Sequence, residues 1–390
     1  MEDELVRIRS KAALQQPEWA DPRVLTTVHR WLGDRPGLVC GDDVARLRRV
    51  LAEVAAGRAL VVLAGDCSED PAECNAAAVA RKVGLLDVLA GTLKMITGMP
   101  VVRAGRIAGQ FGKPRSRLTE RHGDLTLPVY RGHMVNSPDP DSLGRRPDPM
   151  RILSGYRAAA EAMAQLGWMG ERGRTACEPS VWTSHEALLL DYELPMLRRD
   201  RRGRIVLAST HWPWIGDRTR DPGGAHVELL SLVANPVACK IGPSVTAGEL
   251  LEVCERLDPD RVPGRLTLVA RMGPQAVGDR LPGLVAAVRG AGHPVIWLTD
   301  PLHANTVTTA GGLKTRYVDT IVREVQGFQA AVRGAGGVAG GLHLETTPDE
   351  VTECVANSAH DEHVSDKYTT FCDPRLNPGQ AVAVVSAWTW

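Results

Sequence analysis

The sequence predicts an α/β protein built as a (β/α)8 barrel with a short helical extension at its N-terminus. Short runs rich in Val, Ile and Leu recur along the 390 residues, and each is followed by polar or glycine residues and a longer helix-like segment. Eight such runs can be counted. Eight parallel strands alternating with helices favour a closed barrel, with a doubly wound open sheet as the alternative.

The elements follow in chain order. Residues 1–55 are predicted to form the helical extension, because VARLRRVLAEVAAG has apolar residues at helical spacing, and residues 56–390 form the barrel. The segment between Leu118 and Met150 is rich in Pro, Asp, Gly and Arg and is predicted to be a long loop over the barrel mouth. The candidate strands are Ala59 to Leu63, Pro100 to Ala104, Ser180 to Thr183, Ile205 to Ser209, Pro236 to Ile241, Leu266 to Ala270, Pro294 to Thr299 and Gly341 to Glu345.

Composition narrows the class of protein. The formal net charge is zero, so no global field would hold nucleic acid or an anionic membrane. No apolar run approaches the roughly 18 to 20 residues needed to cross a bilayer, and the acidic start MEDELVRIRSKAA lacks an apolar signal core. We therefore expect a cytoplasmic protein. Its eight cysteines show no tight repeat, and a chain of this length does not need disulfides to hold a core.

Cationic side chains follow the predicted strands. In a barrel the C-terminal ends of the strands meet at one mouth, so these side chains would converge on a single site. Gathered in a neutral protein, they would cost stability unless an anion occupied the site, and two phosphates and a carboxylate would satisfy them. The cations are Arg106, Lys113, Arg115, Arg218, Lys240 and Arg271.

Four further residues are of metal-ligand type. Cys67 follows the first strand, His303 the seventh, Glu345 ends the eighth, and Asp373 lies in CDPRLN. A thiolate and an imidazole with two carboxylates suit a divalent ion such as Mn, Fe, Co or Zn. The spacing is not diagnostic, and from the residues alone a buried thiol and solvated loop charges remain the alternative.

Three other motifs favour structural interpretations. WTSHEALLLDYE does not contain HExxH, so a zinc protease is excluded, and His185 is predicted to be a structural hydrogen-bonding residue. GPS at 242–244 is compatible with a phosphate at a helix N-terminus or with an ordinary turn and cap. The Trp-rich HWPW segment is predicted to fill the core rather than to wall a pocket.

Several long motifs resemble the type II 3-deoxy-D-arabino-heptulosonate 7-phosphate (DAHP) synthases, particularly the short forms that serve specialised-metabolite pathways. The resemblance runs from about Leu60 to Gln380, in the same order and spacing as in that family. The motifs are GDC, RIAGQFGKPRS, YRGHMVN, TSHEALLLDYE, WIGDRTR, GAHVELL, GPS, GRLTLVARMG, DPLHANT, LKTRYVDTIVREVQGF, EVTEC and YTTFCDPRLN.

The resemblance implies a barrel enzyme that condenses phosphoenolpyruvate with erythrose 4-phosphate, as the first step of the shikimate pathway and aromatic amino acid or antibiotic biosynthesis. The implied ligands of a divalent metal, manganese first and cobalt, iron or zinc as alternatives, are Cys67, His303, Glu345 and Asp373. The implied substrate-binding residues are Arg106, Lys113, Arg115, Ser116, Asp217, Arg218, Lys240 and Arg271. Lys113, Lys240 and Asp217 are the catalytic candidates, and the sequence does not choose which lysine handles protons.

Departures from the family pattern leave alternatives open. His133 stands where the family commonly has aspartate, Asp217 replaces a glutamate, and Asp221 adds a charge nearby. These changes allow a paralogue that accepts a different aldehyde. A noncatalytic partner subunit, for instance for chorismate mutase, is a further alternative. The family implies a homo-oligomer, a dimer or larger, and the short chain between KPRS and WIGDRTR predicts little feedback inhibition by aromatic amino acids.

Overall fold

A computed structural model describes residues 1–169 and 181–389 of the chain. Within these residues, helices alternate with strands along most of the length. The strands are β1 (Leu60–Gly65), β2 (Val101–Arg106), β3 (Thr119–His122), β4 (Leu125–Pro128), β5 (Trp182–Thr183), β6 (Leu197–Arg199), β7 (Ile205–Leu207), β8 (Trp214–Ile215), β9 (Val237–Ile241), β10 (Leu266–Ala270), β11 (Ile296–Thr299), β12 (Val307–Thr308), β13 (Lys314–Thr315) and β14 (Ala339–Glu345). The helices are α1 (Glu2–Arg9), α2 (Pro22–Gly33), α3 (Gly41–Ala55), α4 (Ala76–Thr97), α5 (Met150–Gln165), α6 (Leu190–Glu193), α7 (Ala225–Leu232), α8 (Ala247–Leu257), α9 (Ala276–Gly290), α10 (Val318–Gly334) and α11 (Pro378–Ser386).

Eight of the strands form one parallel sheet, in the order β5-β2-β1-β14-β11-β10-β9-β8. The two edges of this sheet meet, because a parallel bridge joins Glu186, just after β5, to Trp214 of β8. Trp214 donates its backbone N–H to the carbonyl of His185 at 3.1 Å, and Ala187 donates to the carbonyl of Trp214 at 2.9 Å. The prediction of a (β/α)8 barrel is confirmed, and the doubly wound open sheet is excluded.

One predicted barrel strand is wrong. The run at 205–209 does contain a strand, but β7 pairs antiparallel with β6 in a hairpin outside the barrel. The fourth barrel position is taken by β8, whose two residues follow Pro213 and give too short an apolar run to recognise. Both segments are buried, so hydrophobicity alone could not separate them. The other seven predicted strands overlap β1, β2, β5, β9, β10, β11 and β14, although Ser180 lies outside the described residues.

Inward-facing strand residues and α3 share one apolar cluster. Val61 and Leu63 of β1 belong to it, together with Leu47, Leu51 and Val54 of α3. The helix lies near the N-terminal ends of the strands, because a Cβ at Gly264, just before β10, would meet the backbone of α3. α3 therefore covers the end of the barrel opposite the mouth, and the mouth itself is formed by the polar loops that follow the strands.

Local sequence sets where the outer helices begin and end. α8 starts with a capping box, in which Thr246 accepts from the backbone N–H of Glu249 while the Glu249 side chain accepts from that of Thr246. α4 ends at Gly98, whose φ of 68° falls in the left-handed region that glycine tolerates. The capping residues thus mark where α8 begins and where α4 ends.

Two short hairpins and several turns follow the strands at the mouth. β3 pairs antiparallel with β4 inside the segment predicted to be a loop, so that loop contains a hairpin. β12 pairs antiparallel with β13 between β11 and α10. None of the described helices is both long and apolar enough to cross a membrane.

Candidate active site

The candidate site begins where β1 and β14 end. Cys67, Glu345 and Asp373 each offer one ligand atom, and these three atoms lie within 4.8 Å of one another. The thiol of Cys67 is 3.7 Å from Oδ2 of Asp373, although 306 residues separate the two in sequence. His303 joins this group, with its Nε2 3.2 Å from Oε1 of Glu345. The structure thus brings all four sequence-predicted metal ligands together.

The donor set fits a divalent cation. Ligand atoms at roughly 2.0 to 2.3 Å from a shared ion lie about 3 to 4.5 Å apart, and two separations fall in that range, 3.7 Å between Cys67 and Asp373 and 3.2 Å between His303 and Glu345. Burial raises the pKa of the Cys67 thiol, with further increases from its neighbours Cys372 and Glu345. A bound cation favours the thiolate, so it would offset the effect of burial. The thiolate, imidazole and carboxylates together suit Mn, Fe, Co or Zn.

Glu345 is fully buried among positive charges. Its Oε1 lies 3.0 Å from Arg106 and 3.4 Å from Lys113, and its Oε2 lies 2.8 Å from Arg316. Burial alone would raise its pKa, yet His303, Lys113, Arg316 and Arg106 together hold the pKa well below its ordinary value. The carboxylate is therefore kept ionised at neutral pH, as a metal ligand must be.

His303 is oriented by a buried carboxylate that the sequence analysis did not single out. Oδ2 of Asp300 lies 2.7 Å from Nδ1 of His303 and 2.7 Å from Nζ of Lys240. With Nδ1 engaged by Asp300, Nε2 is left to face Glu345. Although burial opposes it, His303 and Lys240 hold the pKa of Asp300 well below its ordinary value. Asp300 lies within the DPLHANT motif, and its spacing of three before His303 was the available signal.

Asp373 is held by two lysines. Lys314 of β13 lies 2.8 Å from its Oδ1, and Lys113 lies 3.4 Å from its Oδ2. Lys314 is about half exposed, and it is not among the candidate site residues of the sequence analysis. Burial would lower the pKa of Lys113, but the surrounding Cys67, Glu345 and Asp373 raise it well above its ordinary value.

The buried cations Arg106 and Lys240 lie beside the candidate metal ligands. Arg106 donates to the carbonyls of Asp66 and Cys67, at 2.8 and 3.1 Å. Lys240 lies 4.4 Å above the ring centroid of Trp214, and burial lowers its pKa. The prediction that the HWPW segment fills the core is only part of its role, because Trp214 is buried yet also contacts two site cations.

Asp217 organises the arginines on the next part of the mouth. Its Oδ2 lies 3.0 Å from Arg271 and its Oδ1 lies 2.9 Å from Arg220, a residue that the sequence analysis missed. Gly242 donates its backbone N–H to the same carboxylate at 3.0 Å. Arg271 also donates to the carbonyl of His303 at 3.2 Å. Asp217 therefore holds Arg271 and Arg220 together and is itself held by the backbone that follows β9.

The remaining predicted residues lie nearer the surface. Arg218 is exposed and donates to the hydroxyl of Ser116 at 2.8 Å. Arg115 lies 3.2 Å from Glu120 and donates its backbone N–H to Gln15. These side chains form an outer cationic group, separate from the buried one around Glu345.

The structure also shows the surroundings of the motifs that were predicted to be structural. His185 is buried, with Nε2 2.8 Å from Glu193, as expected for a structural histidine. The GPS turn is not itself the start of α8, because Thr246 caps that helix. Glu186 is buried, and its Oε1 has no hydrogen-bond partner among the described residues. Burial raises its pKa, while Lys240, Lys113 and Arg106 act in the opposite direction.

Comparison with known proteins shows which family the sequence matches. The sequence matches the class-II DAHP synthetase family over residues 4–177 and 162–387. A protein of Pseudomonas fluorescens named "Probable phospho-2-dehydro-3-deoxyheptonate aldolase" is 56% identical over 389 residues, covering 100% of this chain and 97% of that protein. The phospho-2-dehydro-3-deoxyheptonate aldolase of Streptomyces coelicolor is 38% identical, covering 96% of this chain and 94% of its own length. The corresponding enzyme AroG of Mycolicibacterium smegmatis is 37% identical, with coverage of 96% and 91%.

A solved structure supports the architecture. The phospho-2-dehydro-3-deoxyheptonate aldolase of Francisella tularensis superimposes with a TM-score of 0.53, covering 89% of this chain and 90% of that one. The sequences are 12% identical, so this likeness concerns the fold alone.

Proposed function

The chain belongs to the class-II DAHP synthetase family and is an enzyme of the DAHP synthase type, and we propose that it condenses phosphoenolpyruvate with erythrose 4-phosphate. The products are 3-deoxy-D-arabino-heptulosonate 7-phosphate and inorganic phosphate, and the reaction opens the shikimate pathway. The observation that carries the proposal is the group of four potential metal ligands directly beside buried cations.

The cation, held by Cys67, His303, Glu345 and Asp373, would supply Lewis-acid polarisation of the aldehyde carbonyl. The donor set supports a divalent ion, and we propose manganese, with cobalt, iron or zinc also able to occupy it.

The charge distribution supports two phosphorylated substrates. Phosphoenolpyruvate carries a carboxylate and a phosphate, and the buried Arg106, Lys113 and Lys240 with Arg271 form a site for both. Guanidinium forks and ammonium groups fix such anions and convert a two-substrate encounter into a local one. The exposed pair Arg218 and Ser116, with Arg115 nearby in sequence, is suited to the second phosphate.

The reaction then follows from how these side chains hold the reactants. C3 of phosphoenolpyruvate attacks the aldehyde carbon, and a proton must reach the oxygen that becomes a hydroxyl. Water adds at C2, and phosphate leaves from the resulting hemiketal phosphate. Lys113 and Lys240 are the candidate proton carriers, and burial favours Lys240 because it lowers the pKa of that lysine, whereas Lys113 is surrounded by anions that raise its pKa.

A related enzyme that takes a different aldehyde is the second candidate. His133 lies against Phe371, two residues before Asp373, with ring centroids 5.0 Å apart, and its Nδ1 is 2.6 Å from the hydroxyl of Tyr130. This aromatic cluster is close to the site and contains the residue that departs from the family pattern. A change there could alter which aldehyde fits.

The test is phosphate release and product analysis with phosphoenolpyruvate and a panel of sugar phosphates. We expect the greatest kcat/KM with erythrose 4-phosphate, loss of turnover with a chelator and recovery on adding Mn²⁺. A higher kcat/KM for another aldehyde would support the second candidate. No phosphate release with any aldehyde, in a folded and metal-supplied preparation, would contradict both and favour a noncatalytic subunit.

A further inference from the structure

A buried network of charged side chains joins the two chain segments that carry Cys67 and Asp373. Asp66 immediately precedes Cys67 and is buried. Its Oδ1 lies 2.9 Å from Nη1 of Arg375, which follows Asp373 by two residues, and its Oδ2 lies 2.8 Å from Lys82 of α4. One guanidinium thus connects the end of β1 to the C-terminal loop.

The same arginine closes the loop that carries Asp373. Arg375 lies 2.7 Å from Oε1 of the fully buried Glu353 through Nη2, and its Nε and backbone N–H donate to Oε2 at 3.1 and 2.8 Å. At the other end of the loop, Thr369 donates its backbone N–H to Glu353 at 3.1 Å. The hydroxyl of Thr369 also accepts from Nη2 of Arg375 at 2.7 Å. Both ends of segment 369–375 are therefore attached to one carboxylate.

The side-chain charges of this network are paired separately from the cations that face the proposed substrates, and the two groups meet where Arg106 donates to the backbone carbonyl of Asp66 at 2.8 Å. Its positive charges, Arg375 and Lys82, are paired with Asp66, Glu353 and Glu73, and within residues 1–169 and 181–389 neither forms an ion pair with the four candidate ligands. The charges are paired and hydrogen-bonded, which is the condition under which a buried arginine is tolerated. Its geometric consequence is a fixed distance between two segments that are far apart in sequence.

We propose that Arg375 is a positioning residue, which sets the separation of the Cys67 thiol and the Asp373 carboxylate and thereby the affinity for the divalent cation. This inference rests on the proposed function, because it presupposes that these two residues bind a metal. Groups that orient metal ligands without touching the metal typically contribute about 10- to 100-fold to affinity. Arg375 acts on two ligands at once through its two separate carboxylate partners.

The variant that tests this proposal removes the forked guanidinium of Arg375. Arg375→Lys keeps the charge but cannot hold Asp66, Glu353 and Thr369 together with the same geometry. Arg265→Lys is the matched control. Arg265 immediately precedes β10 and is also buried, and it donates to the carbonyls of Leu257 and Leu230 at 2.9 and 2.7 Å. Both variants lose a buried arginine fork, but only one borders the candidate ligands.

The experiment is a titration of Mn²⁺ into metal-stripped, folded full-length protein, alongside thermal unfolding in chelator. We expect Arg375→Lys to raise the Kd for Mn²⁺ at least about 10-fold, with kcat recovering to within about threefold of wild type at saturating Mn²⁺. Arg265→Lys should lower the melting temperature but leave the Kd within about twofold. An unchanged Kd in Arg375→Lys, or an equal increase in both variants, would overturn the inference.

Two further variants, Cys67→Ser and Thr369→Val, distinguish failure of the metal site from failure of the positioning role. If wild-type protein binds no Mn²⁺, or if Cys67→Ser binds it equally well, the proposed metal site itself fails. If Arg375→Lys does not fold, Thr369→Val replaces it, because that near-isosteric change removes two hydrogen bonds of the hydroxyl, one from Arg375 and one to Glu353. A Kd about two- to fivefold above wild type is expected for Thr369→Val, smaller than the effect of losing the whole fork. An unchanged Kd would contradict the positioning role.

Discussion

Asp300 connects a candidate metal ligand to a candidate substrate ligand through one carboxylate oxygen, which lies 2.7 Å from both His303 and Lys240. Asp300→Asn keeps the shape but removes the charge. We expect about 10- to 100-fold weaker Mn²⁺ binding, because the imidazole loses its orienting acceptor, together with a higher KM for phosphoenolpyruvate, because Lys240 loses its counter-charge. Metal titration and steady-state kinetics measure the two effects.

The exposed Asp34 supplies a control for that prediction, since Asp34→Asn removes a carboxylate far along the chain from both partners of Asp300. The control should leave both constants unchanged. Normal metal affinity and KM in Asp300→Asn would show that neither His303 nor Lys240 depends on this carboxylate.

Individual site residues could be predicted from sequence when their chemistry was unusual for their position. Cys67, His303 and Glu345 follow apolar runs, and the structure brings them together with Asp373. Asp300 was missed because a carboxylate after a strand is also common in a solvated turn. Its function depends on two partners, one of them 60 residues away, and no local pattern reports such a contact.

At the scale of elements, the loop after β2 is held by a buried carboxylate from the loop after β1. Glu69 accepts from the backbone N–H groups of Ala108, Gly109 and Gln110, at 2.9, 2.8 and 2.6 Å. Ala108 has a φ of 69°, a left-handed conformation that is unfavourable for alanine. The loop leads to Lys113, so the conformation fixed by Glu69 also fixes a candidate catalytic side chain.

Glu69→Ala should therefore impair both stability and turnover. Three buried donors lose their acceptor, and we expect the free energy of unfolding to fall by about 3 kcal/mol, with a loss of kcat. Glu69→Gln retains one acceptor oxygen and should give an intermediate effect on both. Denaturant unfolding and kinetics provide the test, and an unaltered kcat in folded Glu69→Ala would separate the loop from catalysis.

Glu324 of α10 connects the loops after β10 and β11. It accepts from the backbone N–H groups of Met272 and Gly273 and from the side chain of Asn305. Burial, partly opposed by these hydrogen bonds, raises its pKa to about 7 from an ordinary value of 4.5. Between these two values the unfolded chain is ionised while the folded protein retains the proton.

That difference predicts a pH-dependent stability. The contribution of Glu324 should fall as pH rises from about 4.5 to 7, by about 3 kcal/mol in total, and should stay constant above that range. Glu324→Gln lacks the ionisation, so the stability of wild type relative to this variant should decrease over the same interval. Urea unfolding at several pH values measures the difference, and a pH-independent difference would contradict the assignment.

The barrel elements show where sequence patterns stop being sufficient. The five- to seven-residue strands β9, β10 and β14 were predicted because apolar residues and glycine make up most of each segment. β8 has only two residues, and its place in the barrel depends on pairing with β9 and on the bridge between Glu186 and Trp214. Pairing between distant segments, and not local hydrophobicity, decides which buried run enters the barrel.

At the scale of the whole molecule, the fold class follows from the rhythm of strands and helices, while the site depends on closure of the barrel. Parallel strands place their C-terminal ends at one mouth, so residues from position 67 to position 373 can meet. The sequence could predict that polar residues would converge there. It could not predict the buried ion pairs that fix their distances, because these pairs join segments separated by hundreds of residues.

The short connection between the KPRS and WIGDRTR motifs leads to a prediction about regulation. We expect Trp, Phe and Tyr, singly or together, to leave turnover nearly unchanged, because the family resemblance implies additional helices between these motifs in regulated members and this chain is short there. Initial rates at about 1 mM of each amino acid provide the measurement, with a feedback-sensitive relative as the positive control. Strong inhibition by any of the three would contradict this prediction.

The central claim is that Cys67, His303, Glu345 and Asp373 hold a divalent cation on which turnover depends. The most direct measurement is metal content and phosphate release on the same preparations of wild type and Cys67→Ser, stripped with chelator and then reloaded with Mn²⁺. We predict that wild type retains close to one ion per chain and regains activity, whereas Cys67→Ser retains little metal and little activity at the same free Mn²⁺. Equal metal content and equal turnover in the two proteins would contradict the account.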